Sequence, residues 1–162
     1  MQTITRPASL AELGRIMQIE KAGFPPSERC TPALMAARFK AFPDWCFAAW
    51  RGGQLAGFVH GMGVLAPFMQ DAFYYLPSLH APLAPWQCVL GLAVAPEFRR
   101  QGIGRHLMGF YAGMAQARGR QGLVLACKQE LVPFYAPIGF ECAGTSQSRY
   151  GGGAWLDMVW RF

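Results

Sequence analysis

The stretch from Leu92 to Arg105, LAVAPEFRRQGIGR, narrows the possible folds of this chain more than any other. Leu92-Ala93-Val94 reads as a buried strand, and Pro96, which has no N–H to give to a ladder, ends it. Beyond a turn carrying Gly102 and Gly104, the residues Ile103, Leu107, Phe110, Tyr111 and Met114 recur at helical spacing, so a helix follows with an apolar stripe facing a core. A strand passing through a glycine turn into an amphipathic helix belongs to an α/β architecture. The turn also has a chemical reading. Glycines let an anion approach the backbone, and the first amides of a helix lack intrahelical partners and carry the positive end of its dipole. Arg99, Arg100 and Arg105 add positive charge at the same point. A tight turn with solvated arginines is the plainer alternative, but strand, turn, helix and basic residues arrive in the order that anion binding requires. The turn has neither the Gly-Lys-Ser/Thr ending of a Walker loop nor the third glycine of a dinucleotide fingerprint, which argues against nucleoside triphosphates and nicotinamide cofactors.

The flanking sequence supplies the other elements. Thr3 to Arg6 reads as a short strand; Ser9 and Glu12 have capping-box spacing ahead of Leu10, Leu13, Ile16, Met17 and Ile19, which predicts a first helix ending at Phe24-Pro25-Pro26-Ser27. Thr31 as N-cap and Pro32 at the first helical position start a second helix through Leu34, Met35 and Phe39, closed by Phe42-Pro43. Trp45 to Trp50 and Leu55 to His60 form a hairpin about Gly52-Gly53. Residues 64–86 contain Pro67, Pro77, Pro82 and Pro85, which forbid a long regular element, yet Phe68, Phe73, Tyr74, Tyr75 and Trp86 are too apolar for a free linker. We expect a long, packed insertion. Cys88 to Val94 reads as one central strand with Gly91 as a bulge site, Leu123 to Cys127 as another strand and Leu131 to Tyr135 as a short helix. Phe140 to Ala143 and Trp155 to Trp160 complete the sheet around a glycine tip at Gly151-Gly152-Gly153.

With 162 residues, 52% of them apolar, the chain suits a single domain over residues 1–162 with a substantial core. Its apolar runs break well before the roughly 18 residues of a membrane span, and Met1 to Pro7 is no signal segment, so the cytoplasm is the expected location. Cys30, Cys46, Cys88, Cys127 and Cys142 are scattered and odd in number, without metal-site or redox-pair spacing; reduced thiols and no metal are expected. The net charge of +6 invites a nucleic-acid reading, and Arg118-Gly119-Arg120 adds basic surface. No long basic run or aromatic-basic signature accompanies it, and a polyanionic small molecule explains the clustered arginines more economically.

Arg99-Arg100-Gln101-Gly102-Ile103-Gly104 resembles the Arg/Gln-x-x-Gly-x-Gly/Ala pyrophosphate loop of the GNAT N-acetyltransferases. Leu92-Ala93-Val94 is similar to the cofactor strand that precedes that loop, and Leu131-Val132-Pro133-Phe134-Tyr135-Ala136-Pro137-Ile138-Gly139-Phe140 resembles the late helix and strand carrying the family's tyrosine. The wording is similar to the serotonin (arylalkylamine) N-acetyltransferase branch. The resemblance implies a mixed central β-sheet flanked by helices, with splayed central strands. It implies acetyl-CoA as cosubstrate, held by Leu92, Ala93 and Val94 at the pantetheine and thioester, and by Arg99, Arg100, Gln101, Gly102, Ile103, Gly104 and Arg105 at the diphosphate. The reaction it implies is direct acetyl transfer to a primary amine through a tetrahedral intermediate.

Such a reaction needs a neutral amine, donors for an oxyanion and a proton for the departing thiolate. An alkylamine with a pKa of ~10.4 is about one part in two thousand neutral at pH 7, roughly 4.6 kcal/mol uphill. The histidines of the serotonin branch correspond here to Cys88 and Leu90, leaving His60, Asp71, His80 and Glu28 as candidate bases; for each, a structural role is the competing reading. His106, just inside the loop's helix, reads as exposed or as a cofactor contact. Tyr135 occupies the family's tyrosine position, and a phenol with a pKa of ~10 suits protonation of a thiolate; a core aromatic is the alternative. The expected acceptor is a small amine, possible slot residues being Phe24, Pro25, Phe68, Phe73, Tyr74 and Tyr75. A protein N-terminus or lysine is the alternative acceptor, and a non-catalytic acetyl-CoA-binding module is the alternative of another class. No nucleic acid or membrane partner is expected, and the chain is expected to be a monomer or homodimer.

Overall fold

A computed structural model describes all residues 1–162. In chain order the elements are β1 Thr3–Pro7, α1 Leu13–Gly23, α2 Pro32–Ala41, β2 Cys46–Arg51, β3 Gln54–His60, β4 Gly63–Val64, α3 Asp71–Tyr75, β5 Trp86–Cys88, β6 Gly91–Val94, α4 Ile103–Ala117, β7 Gly122–Cys127, α5 Val132–Tyr135, β8 Glu141–Thr145 and β9 Leu156–Arg161. They fall into two compact units, residues 1–60 with 91–111 and residues 61–90 with 112–162, and α4 runs from the first into the second. No helix is long and apolar enough to cross a membrane.

In the first unit, local chemistry sets the elements and their ends. The Glu12 carboxylate accepts the Ser9 N–H and hydroxyl, each at 3.1 Å, fixing a single 3-10 turn that leads into α1. Thr31 Oγ1 accepts the Leu34 N–H at 3.2 Å and Pro32 opens α2. Gly52 and Gly53, at φ 55° and 77°, close the β2–β3 hairpin in a conformation that other residues adopt at a cost. The sheet has the order β1-β2-β3-β6 and is antiparallel throughout. On one face α1 packs against β3 and β6; on the other, Phe47 meets Phe110 and Tyr111 edge-on at 5.1 and 6.3 Å. Ile16, Ile19, Met35, Phe47, Phe58, Ile103 and Leu107 are fully buried, and each such side chain supplies about 1.5–3 kcal/mol of burial free energy.

The second unit holds the sheet β4-β5-β7-β9-β8, in which only β5 and β7 run parallel. Its buried charged residues are Arg120 and Asp157; the Arg120 guanidinium donates to Gln87 Oε1 at 3.1 Å, Pro82 O at 3.0 Å and Ala84 O at 2.6 Å. The insertion at 64–86 is only partly packed. Met69 and Tyr74 are buried, Tyr74 stacking on Tyr150 at 4.0 Å, whereas Leu65, Tyr75 and Leu83 are exposed. α3, five residues long, and one 3-10 turn are its helical structure.

The strand expected over Cys88–Val94 is two strands. Trp86–Cys88 pairs with β7, the Val89 N–H still reaches Val124 O at 2.9 Å, and after Leu90 the chain pairs with β3 instead. Gly91 opens β6 and pairs with His60 as the last rung of the β3–β6 ladder, which shows no register shift up to it, so no bulge marks this position.

Candidate active site

Strand β6 is the edge of its sheet. The Ala95 N–H donates to Ala56 O at 2.7 Å, and the register Gly57↔Val94, Phe58↔Ala93, Val59↔Leu92 continues from there. Narrow and wide pairs alternate in an antiparallel ladder. Ala93 and Gly91 therefore spend their backbone groups on β3, while the N–H groups of Leu92 and Val94 face the open edge. Of the three residues expected to hold a thioester, Leu92 and Val94 have backbone to offer and Ala93 supplies packing.

Past β6, a 3-10 turn at Pro96–Phe98 leads to Arg100 at φ 59°, Gly102 at φ 80°, and the start of α4 at Ile103. The first backbone bond of this helix is His106 N–H to Gly102 O at 3.0 Å, so the amides just before His106 precede the ladder. Ile103, 2% exposed, pins the turn to the core. A side chain added at Gly102 would find no atom within 4 Å, so the backbone here is open to an approaching ligand. Arg100, Gln101, Gly102 and Arg105 are exposed and Gly104 is half-buried.

The basic and polar side chains divide their work. Arg99 Nε donates to Val94 O at 3.1 Å and its other end to Ala22 O at 3.4 Å, bracing the turn against β6 and α1. Gln101 is a second brace: it accepts from Arg51 at 3.0 Å and donates to Glu97 O at 3.4 Å, while Glu97 is paired with Arg15 at 2.6 Å. Arg100 and Arg105 remain as exposed cations beside the unladdered amides. Two guanidinium groups, a run of helix N-terminal amides and an open glycine are a donor set that fits a diphosphate. His106 is exposed and its Nε2 lies 2.9 Å from Thr5 Oγ1.

In the second unit Tyr135 ends α5, 8% exposed, with its ring edge-on to Phe134 at 4.9 Å and Phe140 at 5.6 Å. Burial, and secondarily the Cys127 thiol, pushes its phenol above the usual range, so the group keeps its proton across physiological pH. Two of the candidate bases have structural partners. Asp71 Oδ1 accepts from Ser148 Oγ at 2.7 Å and the Arg149 N–H at 2.9 Å, and His80 Nδ1 accepts the Gly63 N–H at 2.9 Å. Glu28 is half-buried in a 3-10 turn at Pro26–Glu28. At the two strand positions without histidine, Cys88 is fully buried and Leu90 half-buried. His60 differs from the others in being 1% exposed with no hydrogen-bond partner at either ring nitrogen. No three His, Cys, Asp or Glu side chains gather closely enough to hold a metal ion.

Sequence reasoning missed a buried polar group in the first unit. Glu20 on α1 accepts the Cys30 N–H at 2.9 Å, and Arg38 on α2 is 2% exposed. Burial raises the Glu20 carboxyl, with the Cys30 N–H, Arg38 and Arg29 opposing, and raises the Cys30 thiol to about 11 and the Cys46 thiol to about 12. Both residues sit at helical positions that a charge pattern reads as solvated, and no motif marks them.

The model of the acetyltransferase (GNAT) domain family matches residues 43–142. Among solved structures, the GNAT-like decarboxylase GphF in complex with isobutyryl-CoA superposes with a TM-score of 0.85 at 19% identity, over 98% of each chain. The loading GNATL domain of CurA from Lyngbya majuscula gives 0.85 at 14% identity, over 99% of this chain and 98% of that one. The ribosomal-protein-S18-alanine N-acetyltransferase from Escherichia coli gives 0.75 at 17% identity, over 99% and 94%. No curated protein sequence matches the chain. At these identities the superpositions establish a shared fold. The family match covers more than half of the chain, which belongs to the GNAT acetyltransferase family and is an enzyme of that acyltransferase class.

Proposed function

We propose that this enzyme transfers acetyl from acetyl-CoA directly to the primary amine of a small molecule, an arylalkylamine by preference. The observation that carries this reading is the continuity of β6, whose Leu92 and Val94 amides face an open edge, with the turn at residues 99–105, where unladdered amides and two free guanidinium groups adjoin Gly102. Acetyl-CoA supplies the acetyl group as a thioester. Leu92 and Val94 hold its carbonyl and pantetheine through backbone N–H groups; the amides from Gln101 to Arg105, with Arg100 and Arg105, hold its diphosphate. Tyr135 holds, on its hydroxyl oxygen, the proton that the departing sulfur requires. Its assignment rests on the Val132-Pro133-Phe134-Tyr135 wording and on a phenol that burial keeps protonated.

The half-buried Phe73 and exposed Tyr75 of α3 support an arylalkyl acceptor, since a flat apolar substrate is recognised by such side chains. A thiol-release assay with acetyl-CoA and a panel of arylalkylamines, polyamines and peptides tests the reading. Release with arylalkylamines is the expected result. Release with peptides alone would move the acceptor to a protein N-terminus or lysine. Binding of acetyl-CoA without release for any amine would make the chain a non-catalytic module and contradict the proposal.

A further inference from the structure

Residues 64–86 present a surface that acetyl transfer does not use. Leu65 is 76% exposed, Phe68 39%, Leu76 49%, Leu79 43% and Leu83 97%. Tyr75 aside, the other exposed residues of this segment are Gln70, Ser78 and Pro82, so no charged side chain lies open to water along it. Asp71 is bonded to Ser148 Oγ and the Arg149 N–H, and His80 to the Gly63 N–H. Exposed apolar residues scattered singly are ordinary, whereas a cluster of this kind in one segment marks an interaction site.

The backbone holds these side chains together and keeps them outside. Gly63 O accepts the Ala81 N–H at 3.0 Å, and a side chain at Gly63 would strike Ala81 O, so the segment carrying Leu65 lies against the one carrying Leu79 and Leu83. Leu76 and Leu79 stand at the two ends of one turn, the Leu79 N–H donating to Leu76 O at 3.0 Å. The Arg120 guanidinium fixes Pro82 O and Ala84 O on either side of Leu83, and next to Phe68 the Met69 N–H reaches Asp157 Oδ1 at 3.4 Å. A surface anchored in this way is preorganised and loses little entropy when it is covered.

We propose that this patch is the contact between two copies of the chain in a reversible homodimer. With about 100–120 Å² for a leucine side chain and about 200–250 Å² for phenylalanine, the five expose roughly 350–400 Å² of apolar surface per copy. Homodimer interfaces are about 65% apolar, so the footprint is roughly 1,100–1,200 Å² over both copies, above the ~1,000 Å² that a specific interface needs. That area lies at the low end of the specific range and suits a dimer with a Kd on the order of 10 μM. The charge pattern selects the occupant. At a net charge of +6 the chain repels its own copies, and least where no charge is exposed; a two-fold contact sets the patch against itself, which an uncharged patch tolerates. An anionic lipid surface would call for lysine or arginine among the apolar tips, and none is exposed along residues 64–86. The dimer does not depend on the acetyl-transfer reading.

Sedimentation equilibrium of the full chain from about 1 to about 300 μM, a span on either side of that Kd, tests the proposal. The wild-type mass should climb from one chain toward two. The double variant Leu79→Glu with Leu83→Glu sets carboxylates against one another at open positions and should raise Kd at least about tenfold. Leu10→Glu, at a position 47% exposed in the first unit, should dimerise as the wild type does. Thermal unfolding checks that the variants fold; should the double variant not fold, Leu83→Glu alone takes its place. A wild-type chain that stays monomeric at about 300 μM overturns the proposal. So does a dimer that the double variant leaves intact, or one that Leu10→Glu weakens equally. Flotation with vesicles of phosphatidylcholine and phosphatidylserine should recover no protein. Vesicle binding by the wild type that the double variant loses would assign the patch to lipid and overturn the dimer.

Discussion

Replacing Arg100 by glycine should move stability and ligand affinity in opposite directions. Arg100 is the one residue other than glycine with a positive φ, 59°, and a side chain in that region costs about 1–2 kcal/mol. Glycine removes that strain and returns about 0.4–1 kcal/mol of freedom to the unfolded chain, so the net gain in stability is about 0.5–1 kcal/mol. For a chain of this length that raises Tm by about 1–4 °C. The same change deletes an exposed guanidinium beside the α4 N-terminus. If it donates one charge-assisted hydrogen bond to the diphosphate of acetyl-CoA, about 1.5–3 kcal/mol disappears and Kd rises about 10- to 150-fold. Thermal unfolding without ligand and calorimetric titration of acetyl-CoA read the two effects separately. Arg100→Ala, which keeps the strain and loses the charge, should reproduce the affinity loss without the gain in stability. A lower Tm for Arg100→Gly would refute the strain argument, and an unchanged Kd would remove Arg100 from the anion site.

Tyr135→Phe should lower kcat by about 100-fold or more while leaving the Kd for acetyl-CoA nearly unchanged; parallel loss of both in kinetics and calorimetry would assign the ring to packing. Arg120→Ala should destabilise the fold by about 3 kcal/mol in urea unfolding, because two buried acceptors, Gln87 Oε1 and Ala84 O, and the part-buried Pro82 O lose its donated bonds; a cost under about 1 kcal/mol would contradict that account. The stability of the wild-type protein should fall with acid below about pH 6.5, because an unfolded histidine takes a proton there and the buried, neutral His60 does not. The slope from this residue approaches about 1.4 kcal/mol per pH unit. Glu20, whose folded carboxyl is raised, has the opposite sign above about pH 4.3, so the comparison of wild type with His60→Gln isolates the histidine. Identical slopes in the two proteins would place His60 in a more hydrated state than described.

Where the signal is local, sequence and structure agree closely. The Thr31/Pro32 cap, the Gly52-Gly53 hairpin and the stripe Ile103-Leu107-Tyr111 each act within a few residues and produce the element they encode, while the Ser9/Glu12 box opens a 3-10 turn ahead of α1 rather than α1 itself. The break at Val89-Leu90 was not legible, because Cys88 to Val94 is uniformly strand-like and nothing in the run says that its ladder partner changes from β7 to β3. The glycine turn between β6 and α4 was readable for the same local reason as the caps. The separation of its side chains into braces and free cations was not, since Arg99 is held by Ala22 and Gln101 by Arg51, partners far away in sequence. His60 and Gly91 look unrelated in the chain and acquire meaning only through the register that sets one against the other.

Calorimetric titration of the wild-type enzyme with CoA and, separately, with pantetheine, which lacks the diphosphate, bears most directly on the central claim. The turn at residues 99–105 should make CoA bind about 100-fold tighter or more, the equivalent of two charge-assisted hydrogen bonds, with the difference shrinking as salt is raised. Equal affinity for the two, or no heat from CoA at all, would contradict a diphosphate site at this turn.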